Sequence, residues 1–367
     1  MRYYLIAGEA SGDLHGSNLI KALHKQDTNA DIRCWGGDSM EAAGATLVKH
    51  YRELAFMGFV EVIMHLPTIL KNIDTCKQDI LAYNPDVLVL IDYPGFNMRI
   101  AEWAKKRGIK VVYYISPQVW AWKEKRVIKL KRDVDKMLVI LPFEEDFYKK
   151  WNYKVTYVGH PLIEVVTDEK SKPVSQPLSE KPIIALLPGS RSQEIKAKLP
   201  VMLQMIPHFP QYEFIIAQAS AQPDSLYAEI MGEKKVKMVK ADTYNLLRQS
   251  AAALVTSGTA TLETALFGVP EVVCYKGNAI SFWLAKKLVS IKYISLVNLI
   301  MDKPVIKELI QEDLNETSLK SALDELLYDD TYKSELQKDY AELWHKLGNT
   351  HASTKAAEEI IKLVTNR

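Results

Sequence analysis

The sequence has few cysteines, no long apolar run and almost no net charge. Its three cysteines, Cys34, Cys76 and Cys274, form no CxxC pair, which argues against a disulfide framework or a structural zinc site and fits a reducing cytosol. No stretch reaches the roughly 18 apolar residues that span a bilayer. The 47 basic and 45 acidic side chains leave a formal charge of +2, which excludes binding through bulk charge. We therefore expect a cytoplasmic protein without a nucleic-acid partner.

Several nucleotide and metal signatures are also missing. Neither G-x-x-x-x-G-K-[ST] nor G-x-G-x-x-G occurs, which argues against kinases, GTPases and NAD enzymes. The eight histidines are scattered and no HExxH is present. Asp133 and Asp135 match a DxD metal pair in letters only, because Asp135 precedes a predicted strand and so lies at the amino end of the sheet, where ligands rarely bind. We expect neither a metal nor a cofactor.

The sequence does contain a repeated alternation of short β-rich runs and longer helical stretches. Apolar residues fill both faces of runs such as 87–91, as is typical of parallel strands covered by helices. Between Thr167 and Pro182 the composition changes to Asp, Glu, Lys, Ser and Pro, which indicates a hinge. The predicted fold class is α/β, with two Rossmann-like, doubly wound domains facing across a cleft and a helical C-terminus. The predicted divisions are a domain at 1–168, a linker at 169–182, a domain at 183–345 and a C-terminal helix at 346–367.

Two strand-to-helix junctions in the second domain have the character of phosphate-binding turns. In each, a buried strand ends in small residues that open a helix, where free backbone N–H groups favour anions. An arginine in the first turn can bind a diphosphate through two hydrogen bonds. The turns are Gly189, Ser190 and Arg191 in the first junction and Ser257, Gly258 and Thr259 in the second.

Glu263 extends the second junction. It lies four residues past Thr259 on the same helix face, where it can accept hydrogen bonds from ribose hydroxyls. Each junction alone is also consistent with an ordinary capped helix, with Ser192 as the cap in the first and Glu263 as a solvated side chain in the second. Two such junctions and an arginine in one domain favour a site for a nucleotide diphosphate.

The first domain has two polar loops behind predicted strands. The first loop can hold a sugar substrate through glycines that allow close approach and through carboxylates, and its candidate residues are Glu9, Ser11, Gly12 and Asp13. In the second loop, Asp92 directly follows the buried run 87–91, where a partly desolvated carboxylate is a candidate general base. The alternatives are a glycine turn with Asp13 in the first helical turn, and an Asx-turn at Asp92.

The segment from Phe56 to Ile73 is apolar around most of its circumference. Polar residues recur at three- and four-residue spacing, which predicts a helix that is either enclosed in a core or in contact with lipid. Its apolar side chains exceed what one buried face needs. The residues predicted to contact a membrane are Val60, Val62, Ile63, Leu66, Ile69 and Leu70. Basic residues between 123 and 132 can meet anionic headgroups or a phosphorylated substrate, or form a solvated helix face.

Taken in order, these motifs resemble the lipid-A-disaccharide synthases, a family of inverting glycosyltransferases. The resemblance covers nearly the whole chain and is most specific in SPQVWAWK (116–123) and FWLAKKLV (282–289). The other matching motifs are AGEASGD, MGFVEV, PDVLVLIDYPGFN, LPFE, VGHP, LLPGSR, SGTATLE and SLVNLI.

The resemblance implies a glycosyltransferase-B (GT-B) architecture, UDP-2,3-diacylglucosamine as donor and 2,3-diacylglucosamine 1-phosphate (lipid X) as acceptor. It further implies attachment to the cytoplasmic face of the inner membrane, a homodimer, and a C-terminal helix that returns to the first domain. By motif, Asp92 matches the family's essential carboxylate, Arg191 its essential arginine, Asn298 a polar active-site residue and Glu263 the donor-site glutamate. Gly95 stands where relatives often have a second acidic residue, which concentrates the prediction on Asp92.

Two rival classes share these features. A UDP-N-acetylglucosamine 2-epimerase, or another nucleotide-sugar enzyme of the same fold, would have the same junctions. A non-catalytic module would bind a nucleotide sugar or a lipid without turnover. Release of UDP with and without the lipid acceptor separates these classes from the transferase.

Overall fold

The computed structural model describes residues 1–53, 66–173, 176–278, 282, 292–348 and 351–365. These residues form two compact units. The first unit comprises the described residues up to Pro161 and those from His351 onward, and the second runs from Leu162 to Gly348. Each unit is built on one parallel sheet, so the prediction of two Rossmann-like α/β domains is confirmed.

Both sheets are parallel throughout their described strands, and each reverses its strand order once. The first sheet has the order β3-β2-β1-β4-β5-β6-β7, with β1 (Arg2–Ala7), β2 (Asp31–Gly36), β3 (Thr46–His50), β4 (Val87–Ile91), β5 (Val111–Tyr114), β6 (Lys136–Val139) and β7 (Thr156–Tyr157). The second has the order β10-β9-β8-β11-β12-β13, with β8 (Ile183–Leu187), β9 (Glu213–Gln218), β10 (Lys237–Lys240), β11 (Ser250–Thr256), β12 (Glu271–Tyr275) and β13 (Lys307–Ile310).

Helices connect the strands and cover the sheets. In the first unit these are α1 (Ala10–Gln26), α2 (Asp38–Ala42), α3 (Leu66–Tyr83), α4 (Pro94–Lys105), α5 (Val127–Asp133) and α6 (Glu144–Lys149). The second unit contains α7 (Leu162–Ser171), α8 (Ser192–Leu203), α9 (Asp224–Met231), α10 (Thr243–Arg248), α11 (Thr259–Phe267), α12 (Leu296–Met301), α13 (Glu316–Tyr328) and α14 (Asp330–Lys346). The last helix, α15 (Ala352–Thr365), belongs to the first unit.

The core of each unit lies between its sheet and these helices. Every residue of β4 is fully buried, which explains why its sequence is apolar on both faces. The C-terminal helix α15 packs against α1. Two contacts fix it to the sheet side of the unit: Lys136 forms an ion pair with Glu359 at 2.5 Å, and Lys110 Nζ donates to the Leu363 carbonyl at 2.8 Å.

The boundary between the units differs in position from the predicted one. Helix α7 packs against α11, and Lys170 of α7 donates a hydrogen bond from Nζ to the Leu266 carbonyl at 2.8 Å. Because α7 thereby belongs to the second unit, that unit begins at Leu162, before the expected division at residue 168.

Candidate functional site

Within each unit, the predicted motifs follow the strands at which the strand order of the sheet reverses. In the first sheet the reversal lies between β1 and β4, and the loops that follow these strands carry Glu9 and Asp92. In the second it lies between β8 and β11, whose ends lead into the two predicted phosphate-binding turns. Ligands of doubly wound folds bind at the carboxyl ends of strands at such reversal points. Each unit therefore has one candidate site.

Asp92 is held rigidly at the end of β4. Its backbone N–H donates to the Tyr114 carbonyl at 3.2 Å, while its own carbonyl accepts from the Tyr113 hydroxyl at 2.6 Å and from Asn97 Nδ2 at 2.8 Å. Both Asp92 and Tyr93 have left-handed backbone conformations, with φ of 44° and 50°. This strained turn is typical of a functional loop, and it fixes where the carboxyl group lies.

The protonation of Asp92 suits a general base. Burial and then the nearby charge of Glu9 raise the pKa of Asp92 to about 7, against a weaker opposing effect of the Tyr93 backbone N–H. Glu9 follows β1, which pairs with β4 from Tyr3 to Ala7, so the sheet itself brings the two carboxylates together. A base whose pKa lies near the working pH transfers protons most effectively.

The other predicted residues of this loop have different surroundings. Asp13 is buried and accepts three backbone hydrogen bonds, from Gly37 and Met40 at Oδ1 and from Ser39 at Oδ2, at 2.8 to 3.1 Å. Its carboxylate therefore ties α1 to the start of α2, and its role as a sugar ligand stays a prediction. The remaining residues lie at or within the first turn of α1, and these are Glu9 at the N-cap, half-buried Ser11 and buried Gly12.

The first predicted phosphate-binding turn, which comprises Gly189, Ser190 and Arg191, opens helix α8 of the second unit. Gly189 has a φ of +121°, and a Cβ there would lie 2.4 Å from Glu194 Oε2, so the turn requires glycine. The carbonyl of Ser190 accepts a hydrogen bond from Gln222 Nε2 at 3.0 Å. Arg191 occupies the N-cap position of α8. Its side chain is 56% exposed, and its Nη1 lies 3.4 Å from Glu194 Oε1. An exposed guanidinium at a helix start is available to a phosphate group.

The second predicted phosphate-binding turn, which comprises Ser257, Gly258 and Thr259, opens helix α11. Gly258 has a φ of +145°, and a Cβ at this position would have no described atom within 4 Å, so the turn borders open space. Ser257 donates a hydrogen bond from Oγ to the Ile294 carbonyl at 2.8 Å. Thr259 is the first residue of α11, whose N-terminal N–H groups point out of the turn. The geometry fits an anion at the start of the helix.

Glu263 lies on α11, and Asn298 lies on α12, which packs against α11. The carboxylate of Glu263 accepts from the Tyr244 hydroxyl at 2.7 Å, and burial raises its pKa. Asn298 is buried, with its amide group donating to Ile306 O at 2.8 Å and accepting from Ile306 N at 2.9 Å. The same amide nitrogen also lies 3.0 Å from Glu308 Oε1. Asn298 therefore fixes the loop from Ile306 to Glu308, and its role as a polar active-site residue stays a prediction.

Lys198 lies at this site although it was not among the predicted residues. It is 2% exposed and donates a hydrogen bond to Oγ1 of Thr256, the last residue of β11. A sequence signal for it does exist: Lys198 falls on the buried stripe of α8, three residues after Ile195 and four before Met202. A lysine at such a position is rarely a solvated side chain.

The described residues contain no group of three or more His, Cys, Asp or Glu side chains arranged to hold a metal ion. No described helix is long and apolar enough to cross a membrane. Val60, Val62 and Ile63 lie outside the described residues, as does the side chain of Leu66. Ile69 packs partly against the core, whereas Leu70 is 48% exposed.

Comparison with solved structures supports the fold. The chain resembles a UDP-GlcNAc 2-epimerase from Neisseria meningitidis bound to UDP-GlcNAc, with a TM-score of 0.65, 12% identity and coverage of 99% of this chain and 100% of that one. It also resembles the glycotransferase of kitacinnamycin, with a TM-score of 0.67, 15% identity and coverage of 99% of both chains. At these identities the likeness shows the GT-B type of fold and nothing about the reaction.

Sequence comparison identifies the family. A Lipid-A-disaccharide synthase from Geobacter metallireducens is 36% identical over 99% of this chain and 97% of its own length. Another from Coxiella burnetii is 37% identical over 98% of both. A family model described as Lipid-A-disaccharide synthetase matches residues 3–363, so the chain belongs to the lipid-A-disaccharide synthetase family.

Proposed function

We propose that this protein is an inverting glycosyltransferase that joins UDP-2,3-diacylglucosamine to 2,3-diacylglucosamine 1-phosphate. The products are the β-1,6-linked lipid A disaccharide 1-phosphate and UDP. The family supports this activity, and relatives are named for it. The single observation that carries the mechanism is Asp92, whose carboxyl group lies at the strand reversal of the first sheet with its pKa raised to about 7.

Asp92 is the general base in this proposal. Its carboxylate accepts the proton of the acceptor 6-hydroxyl while that oxygen attacks C1 of the donor sugar from the face opposite UDP. The bond between C1 and the phosphate oxygen breaks, its electron pair leaves with UDP, and the configuration at C1 inverts. Glu9 keeps a negative charge near Asp92 and so maintains a base strong enough for a hydroxyl. Ser11 and Gly12 border the same loop and are proposed to contact the acceptor.

The second unit holds the donor in this proposal. The diphosphate is bound by Arg191 and by the backbone N–H groups of two turns, here called the donor turns, which are Gly189-Ser190-Arg191 and Ser257-Gly258-Thr259. These groups also stabilise the charge that develops on departing UDP. Glu263, oriented by the Tyr244 hydroxyl, accepts hydrogen bonds from the ribose.

Peripheral attachment to the cytoplasmic face of the inner membrane follows from the acylated substrates. Its support among the described residues is a surface in which Trp122 is 43% exposed and Ile128 61% exposed. Lys123 and Arg126 lie 4.2 and 5.4 Å from the Trp122 ring centre, which combines an interfacial aromatic group with cations for anionic headgroups. Leu70 adds a further exposed apolar side chain. The homodimer stays a prediction, which sedimentation at graded protein concentrations would test.

The proposal is tested by measuring UDP release from the diacylated donor with and without the acceptor. We expect release to depend on the acceptor, because the attacking hydroxyl belongs to it. The same assay with UDP-N-acetylglucosamine alone examines the epimerase alternative, in which the sugar is isomerised. Release that does not require the acceptor, or isomerisation of UDP-N-acetylglucosamine, would contradict the proposed reaction.

A further inference from the structure

Lys198 is a buried cation that has no carboxylate in direct contact among the described residues. Its side chain is buried, and its Nζ donates to the neutral Thr256 hydroxyl. Within the described part of the chain, no carboxylate oxygen lies within 4 Å of Nζ, whereas Lys196 on the same helix pairs with Glu229 at 3.7 Å. A buried ammonium group with only a hydroxyl partner is costly, so its presence calls for an explanation.

The Lys198 side chain extends toward the donor turns. Side chains of a helix lean toward its N-terminus, so Lys198 reaches back along α8 toward the carboxyl edge of the sheet. Its partner Thr256 is the last residue of β11 and immediately precedes Ser257 of the second donor turn. The ammonium group thus lies directly behind the place where the β8 and β11 loops meet.

A second cation, Arg191, affects the charge of Lys198. Burial is the main cause that lowers the pKa of Lys198. Glu194 and Cys274 oppose this shift, whereas the charge of Arg191 adds to it. The Arg191 charge thus disfavours the charged form of Lys198, and the Arg191 side chain is exposed whereas Lys198 is buried. A bound anion between the two cations would relieve this repulsion.

We propose that Lys198 is a buried cation of the donor site, which binds the diphosphate of the nucleotide sugar from behind the turn while Arg191 binds it from the solvent side. The inference rests on the proposed function, since it assumes a nucleoside diphosphate between these strands. It assigns the buried lysine to ligand binding and not to the packing of α8.

The test compares two neutral variants with a matched control. Lys198→Met removes the charge with little change in shape, and Lys198→Gln also keeps a donor for Thr256. Lys196→Met is the control, because it removes one positive charge from an exposed position of the same helix. Calorimetric titrations measure the affinities of all variants for UDP and for uridine, and thermal unfolding without ligand is recorded in parallel.

We expect both Lys198 variants to lose UDP affinity by about 10- to 100-fold, as for the loss of a charged hydrogen bond, with uridine affinity unchanged. Lys196→Met should bind UDP like the wild type. Lys198→Met should unfold, without ligand, at the same or a higher temperature, because it removes a buried charge that has no carboxylate in direct contact.

Other results would overturn the inference in distinguishable ways. If either folded Lys198 variant keeps wild-type UDP affinity, or loses UDP and uridine equally, the lysine does not bind the diphosphate. A Lys198→Met variant that unfolds at a markedly lower temperature would assign the residue to packing. Failure of the wild-type protein to bind UDP would refute the proposed function itself along with this inference.

Discussion

The pH dependence of turnover should report directly on Asp92. Burial and the charge of Glu9 raise the pKa of this carboxyl group from 3.8 to about 7. A base must be ionised to accept a proton, so we expect kcat/KM to rise with pH along a limb centred near that value. An aspartate with its ordinary pKa would be almost fully ionised throughout this range and would produce no such limb.

The size of the effect follows from the pKa. With a pKa of about 7, roughly one tenth of the Asp92 side chains are ionised at about pH 6 and roughly nine tenths at about pH 8. The value of kcat/KM should therefore rise about tenfold from about pH 6 to about pH 8. Initial rates of UDP release at low acceptor concentration, measured at constant ionic strength, give this profile.

A variant is needed to assign the limb, because the phosphate of the acceptor itself titrates near pH 6. Glu9→Gln removes a neighbouring negative charge that favours protonated Asp92, so its limb should move to lower pH. Glu41→Gln, at an exposed position of α2, should leave the profile where it is. A flat profile in the wild type, or a limb that Glu9→Gln does not move, would refute the argument from Asp92.

Three further predictions concern separate parts of the molecule. Asp92→Asn should lower kcat by about 10²- to 10⁴-fold, as for loss of a general base, with UDP affinity unchanged by calorimetry; near-normal turnover would exclude Asp92 as the base. Glu271 is fully buried without a hydrogen-bond partner for its carboxyl oxygens among the described residues, and burial raises its pKa well above the ordinary value. The protonated Glu271 side chain therefore stabilises the fold at acidic pH, and this contribution is lost as pH rises from the unfolded-state pKa of about 4.3 toward the folded value. Denaturant titrations should find that Glu271→Gln is stabilised relative to the wild type, and increasingly so as pH rises. A difference in stability that does not depend on pH would contradict this prediction. Changing Trp122 and Ile128 together to Ser should weaken binding to anionic vesicles in sedimentation assays by about tenfold or more. The control Leu81→Ser, which also changes an exposed apolar residue, should bind like the wild type. Equal binding by the wild type, the double variant and the control would exclude this surface from the membrane contact.

The sheets and their strand ends were predictable because they depend on local patterns. Strands of a parallel sheet are buried on both faces, so β4 and β8 appear in the sequence as continuous apolar runs. The turns after them carry glycines with positive φ, such as Gly189 and Gly258, which punctuate the sequence at the carboxyl edge of each sheet. The positions of Asp92 and of both donor turns follow from these two patterns.

The functions of individual polar residues were less predictable because their partners are distant in sequence. Asp13 accepts hydrogen bonds from the start of α2, and Asn298 pairs with Ile306, so both side chains have structural partners that local patterns do not show. The effect of Glu9 on Asp92 likewise depends on the pairing of β1 with β4. Lys198 was predictable in principle from its place on the apolar stripe of α8, but its partner Thr256 was not.

The central claim is that this protein forms a glycosidic bond between two acylated sugars. The most direct measurement incubates the purified protein with UDP-2,3-diacylglucosamine and 2,3-diacylglucosamine 1-phosphate and identifies the lipid product by mass spectrometry. We expect a tetra-acylated disaccharide 1-phosphate whose formation equals the UDP released and is lost in Asp92→Asn. Free diacylglucosamine, an epimerised nucleotide sugar or unchanged substrates would contradict the account.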